Sequence, residues 1–162
     1  MDSTTSICLS RSDNELMLAK AIQHLSEDSK IKKDIFSIPQ DITFYSAVIA
    51  HAYYAIFYSA KSYLIFKKEN LPLQGQHSAV YHKFKRYVKN GEITKDLLSL
   101  YDDAMVKAEV LLQILDDEEQ NRTQYTYQKL PQANKEPAQN SITNAQFFVS
   151  HIKVLIQQKG EE

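Results

Sequence analysis

The sequence predicts an all-α protein, an antiparallel bundle of four to five helices, and three observations predict it. Three glycines and four prolines in 162 residues are too few turn formers for a many-stranded sheet, which needs a turn roughly every 8–12 residues. Apolar residues recur at helical steps over long stretches. The length suits a single hydrophobic core rather than two domains.

Residues 1–11 read as a flexible N-terminal tail that holds Cys8, the one cysteine. A single cysteine excludes an internal disulfide framework and fits a reducing cytoplasm. No basic and apolar run of the signal-peptide type opens the chain. Ser12 and Glu15 have the spacing of a capping box, with Leu18, Ile22 and Leu25 following at helical steps over about 13–28. Residues 29–41 read as a connector, with Pro39 near the start of the next helix.

That helix, about 40–68, is the most apolar segment. Its stretch FYSAVIAHAYYAIFYSA carries no formal charge, but it is short for a membrane span and holds a histidine and several tyrosines. It reads as a central helix buried by its neighbours. Ala52, Ala55 and Ser59 line one side with small groups that admit a close partner, beside a bulkier stripe of Ile49, Ile56 and Tyr63. A further helix over about 76–90 turns Val80, Phe84 and Val88 inward and stops at Gly91.

The clearest periodicity follows. Leu97, Tyr101, Ala104, Ala108, Leu111 and Leu115 alternate steps of four and three, the seam of a packed helix. Seven residues on comes Arg122, and three more reach Tyr125, so both fall on the inward side if the helix continues. A proline-containing loop leads to a last helix with Ala145, Phe148, Ile152 and Leu155 on one face. The organisation expected is one helical domain over 12–158 between the tails 1–11 and 159–162.

The formal net charge of −1 marks no overall polyanion binder, although Lys61–Lys95 is rich in cations and Asp102–Glu119 mostly acidic. Arg122 suits phosphate, since a guanidinium fork holds two oxygens at once. Lys83 and Arg86, three apart, are candidates to track a phosphate backbone, and Tyr54 to stack a base. His51 and His77 are the histidines placed to assist. His77 and His82, five apart, do not share a helix face, and no cysteine joins them, so neither a metal nor another cofactor is expected.

Three stretches together, HAYYAIFYSAKSYLI, HSAVYHKF and NRTQYTY, resemble the HEPN family (higher eukaryotes and prokaryotes nucleotide-binding). The likeness rests on Ala52 to Phe57 with Ala60, on His77 at a helix start, and on Arg122 followed by Thr126-Tyr127. It implies a cytoplasmic helical bundle that forms homodimers and binds RNA or a nucleotide. It also implies a toxin–antitoxin pairing with a nucleotidyltransferase antitoxin. With the residues read above, the expected site contains Arg122, Tyr125, Tyr127, His51, Tyr54, His77, Lys83 and Arg86, and the resemblance puts Arg122 and Tyr127 in the catalytic positions.

Catalytic members of the family carry a histidine a few residues after the arginine; here Tyr127, Gln128 and Lys129 fill those places. A positioned acid or base is worth about 10²–10⁴ in rate, and a phenol titrating near pH 10 is a poor base. The expected function is therefore a binding module, non-catalytic or weakly catalytic. A metal-independent endoribonuclease and a pure interaction module that docks a nucleotidyltransferase are the alternatives.

Overall fold

The computed structural model of the chain describes residues 2–120 and 135–159. Among these residues all regular structure is helical: α1 (Ser3–Glu27), α2 (Ser29–Asp34), α3 (Tyr45–Phe66), α4 (Gln76–Lys89), α5 (Lys95–Gln120) and α6 (Lys135–Lys159). Arg122, Tyr125 and Tyr127 lie outside the described residues, as do the side chains of Leu111 and Leu115.

The stretch read as a flexible tail is instead the first part of α1. Asp2 caps the helix by accepting from the Thr4 amide at 2.6 Å, which satisfies one of the free amides of the first turn. Thr5 and Cys8 are buried. Ser12, read as an N-cap, sits in mid-helix and donates to the Ala55 carbonyl oxygen of α3 at 2.7 Å. The buried face of α1 is small or polar, namely Thr5, Cys8, Ser12, Ala19 and Ser26, whereas Leu18 is exposed. At Ala55, the small-residue side of α3 admits α1 down to backbone contact.

Helix α3 is central, packing on α1, α4, α5 and α6. Helix α1 is antiparallel to α3, with Ser12 at Ala55 and Glu15 at His51, and antiparallel to α6, with Asp13 at Lys153 and Gln23 at Gln139. The short α4 instead runs in the same sense as α3. It starts with His77 beside Tyr53 and ends with Tyr87 beside Tyr63. The inward positions expected for α3, α4 and the first half of α5 are buried, as are Ala145, Phe148 and Ile152 of α6. Tyr101 sits where four elements meet, its ring 5.7–6.4 Å from those of Tyr53, Tyr81, Phe84 and Phe148.

Two helix ends set up the surface chemistry. At the end of α3, the Lys68 amide bonds to the Ile65 carbonyl and the Glu69 amide to that of Leu64. At the end of α4, Gly91 bonds to Val88 and Glu92 to Tyr87. Both are Schellman closures, which require a left-handed residue. Gly91 supplies it at φ +76°, but Lys68 must adopt φ +59° with a side chain attached.

The connector between α1 and α3 contains α2, capped by Asp28, whose carboxylate accepts from the Lys30 and Ile31 amides at 2.9 Å. Lys32 is buried at 2% exposure. Its ammonium donates to the carbonyls of Ser26, Gln40 and Ile42, tying the end of α1 to the chain entering α3.

Candidate functional site

Positions 51, 54, 58 and 61 fall on one face of α3, and His51, Tyr54, Tyr58 and Lys61 are all half-buried there. Helix α1 borders this stripe on one side. The His51 Nδ1–H donates to Glu15 at 2.6 Å, and the Arg11 guanidinium lies 4.7 Å from the Tyr58 ring centroid. The start of α4 borders the other side. Lys61 Nζ donates to Gln76 Oε1 at 2.7 Å, and His77 sits over the aromatic residues of α3.

Gly75, at φ +63°, turns the chain into α4 and so sets His77 in place. The imidazole stacks on Phe57 with centroids 4.1 Å apart and meets Tyr54 edge-on at 5.9 Å. Its Nδ1 is 2.8 Å from the Tyr53 hydroxyl, a hydrogen bond whose direction follows the tautomer of the ring. As a residue His77 is exposed, yet one ring face and the Nδ1 edge are out of water. That burial pulls its pKa below the ordinary histidine value, and the Lys61 charge acts in the same direction. Among the described residues, the second ring nitrogen has no partner. His77 thus offers solvent an oriented, neutral imidazole.

Lys83 and Arg86 do not join this face. Lys83 Nζ is 2.7 Å from Glu69 Oε2, Arg86 pairs with Glu69 Oε1, and the Tyr87 hydroxyl donates to the same oxygen at 2.8 Å. These contacts, the Lys83 bond foremost, hold the Glu69 carboxyl down to about 2. Burial and the neighbouring Glu69 push the Tyr87 hydroxyl up to about 12. The cluster ties the end of α3 onto α4, and both cations are spent on one carboxylate.

The structure places His51, Tyr54 and His77, each a candidate in the sequence, along or beside one stripe of α3. The sequence pattern missed two cations beside them. The sequence places Arg11 in the expected tail and Lys61 in a generally basic stretch; Lys61 is a neighbour of Tyr58 along α3, and only the pairing of α1 with α3 brings Arg11 to the same ring. Elsewhere, a cleft of about 720 Å³ lies between α1, α5 and the start of α6. Its Glu27 and Glu136 balance Lys107 and Lys135, and none of the predicted site residues lines it.

Among the described residues, no three His, Cys, Asp or Glu side chains are grouped to hold a metal ion, and no helix is long and apolar enough to cross a membrane. No protein-family model, no curated protein and no solved structure matches this chain.

Proposed function

We propose that the chain is an RNA- or nucleotide-binding module whose binding face is the half-buried stripe of α3 with His77 at its edge. The observation that carries the proposal is the pairing of half-buried Tyr54 with the oriented, neutral His77 ring. The two rings stand edge-on to each other, so one of them, fixed by its neighbours and reached by solvent, suits the stacking of a base, worth about 1–3 kcal/mol per base. The resemblance of the sequence to the HEPN family points to the same ligand class, with Arg122 and Tyr127 as further contacts and a nucleotidyltransferase as the protein partner.

The test is anisotropy of a labelled oligouridylate in EDTA at low salt. Wild type is expected to bind, and Tyr54→Ala to bind about tenfold or more weakly, given the stacking energy above. Absence of wild-type binding removes the proposal. The second ring nitrogen of His77, unpartnered among the described residues, favours one further reading, metal-independent cleavage. The same samples decide it. Intact RNA leaves a binding module, while products that vanish with His77→Gln make the protein an endoribonuclease.

A further inference from the structure

We propose that Arg11 and Lys61 form a phosphate clamp around Tyr58, a subsite beside the stacking face; this rests on the binding role proposed above. Among the described residues, neither Arg11 nor Lys61 has a carboxylate at ion-pair distance. The acids nearest to Arg11 in sequence are already engaged. Glu15 binds His51, Asp13 holds Lys153 at 2.6 Å, and Asp2 caps α1.

Each cation is nevertheless held in place by a neutral group. Arg11 lies over the Tyr58 ring, and a guanidinium stacked on a ring keeps the N–H fork along its edge available for two anion oxygens. Lys61 gives one proton to Gln76 Oε1, which leaves two of its three donors. Tyr58 and Lys61 are three residues apart on α3, hence neighbours on one face. Burial raises the pKa of the Cys8 thiol, while Lys61 and then Arg11 lower it, and Asp2 opposes them with a smaller effect. Both cations thus lie within electrostatic reach of the Cys8 sulfur.

A site built this way selects an oxyanion of phosphate type over a neutral ligand. A phosphate there sits one helical turn from Tyr54, as suits a nucleotide whose base stacks on one of the rings of that face. The phosphate has two possible sources, an RNA backbone or a free nucleotide.

The test titrates labelled oligouridylate against wild type, Arg11→Gln, Lys61→Gln and Arg11→Lys, with exposed Lys33→Gln as a charge-matched control and thermal midpoints recorded for all. Arg11→Gln and Lys61→Gln are each expected to weaken binding about tenfold and to lower the salt slope by about one phosphate contact. Arg11→Lys should fall between, since it keeps the charge and loses the fork. Lys33→Gln should stay within about twofold, a change that removes a charge but no held contact. Competition by ATP assigns the clamp to a free nucleotide, and failure of ATP to compete assigns it to the RNA backbone. If wild type binds and the Arg11 and Lys61 variants match Lys33→Gln, the clamp is wrong and the binding role stands. If wild type binds neither probe, both fall together.

Discussion

Two basic regions of this molecule look alike in sequence and differ in what surrounds their charges. On α4, Lys83 and Arg86 face Glu69, delivered by the turn that closes α3. Between α1 and α3, Arg11 and Lys61 face a phenol ring and a side-chain amide. A carboxylate removes a cation's appetite for other anions; a ring or an amide positions the cation and leaves its charge available. Counting lysines and arginines along a helix therefore identifies a basic face only when the carboxylates that fold onto it are known.

Lys32 belongs to neither kind, a buried ammonium whose three donors are all taken by backbone carbonyls. Its role is structural, and its replacement has the largest expected effect. Lys32→Met keeps much of the stem's packing but strands three carbonyl oxygens. It is expected to lower unfolding free energy by about 3 kcal/mol, less whatever is regained by no longer burying a charge. Urea unfolding measures it. A change within about 0.5 kcal/mol, the range of ordinary surface substitutions, would show that the connector does not depend on this staple.

Glu69→Gln separates the two basic regions more directly. The carboxylate is mostly shielded, with 14% of its side chain exposed. Its loss is expected to cost about 1–3 kcal/mol at neutral pH, discounted for the exposure of Arg86. The sign with pH follows from a folded-state pKa of about 2 against an ordinary 4.5. The stabilisation is complete above the ordinary value and disappears as pH falls from there toward about 2. The stability gap between wild type and Glu69→Gln should thus close over that window, in acid denaturation followed by circular dichroism. A gap that stays constant would mean that the charge of Glu69 contributes nothing. The same variant frees Lys83 and Arg86, so its affinity for polyphosphate should rise if carboxylate pairing is what silences them.

Legibility in the sequence followed side-chain type. The core positions of α5 and α6 were readable because Leu97, Tyr101, Phe148 and Ile152 are large and apolar at helical steps, and their burial follows. The first part of α1 was not readable, because its inward face is built from Thr5, Cys8 and Ser12, which score as polar or small while packing on α3. Helix α2, six residues long, is below the length at which periodicity registers. For the site, Tyr54 and His77 were legible as residue types beside a known kind of motif. The pairing of Arg11 with Tyr58 and the neutralisation of Lys83 and Arg86 by Glu69 depend on contacts across tens of residues, which no local pattern encodes.

The smallest expected effect tests how Glu69 reaches α4 at all. Lys68 holds φ +59° so that the closure of α3 can place Glu69 beyond it. A residue with a Cβ is strained in that region, and the corresponding turn after α4 uses Gly91. Lys68→Gly relieves the strain while loosening the unfolded chain, so the net gain should be modest, about 0.5–1 kcal/mol. Because the Lys68 side chain takes no part in the Glu69 cluster, the acid-window behaviour of Glu69 should be unchanged in this variant. A gain in stability with an intact window establishes that the turn, and not the lysine, delivers the carboxylate. A loss of stability together with a shifted window would mean that Lys68 belongs to the electrostatics of α4, and the contrast between the two basic regions would have to be redrawn with a third cation on the α4 side.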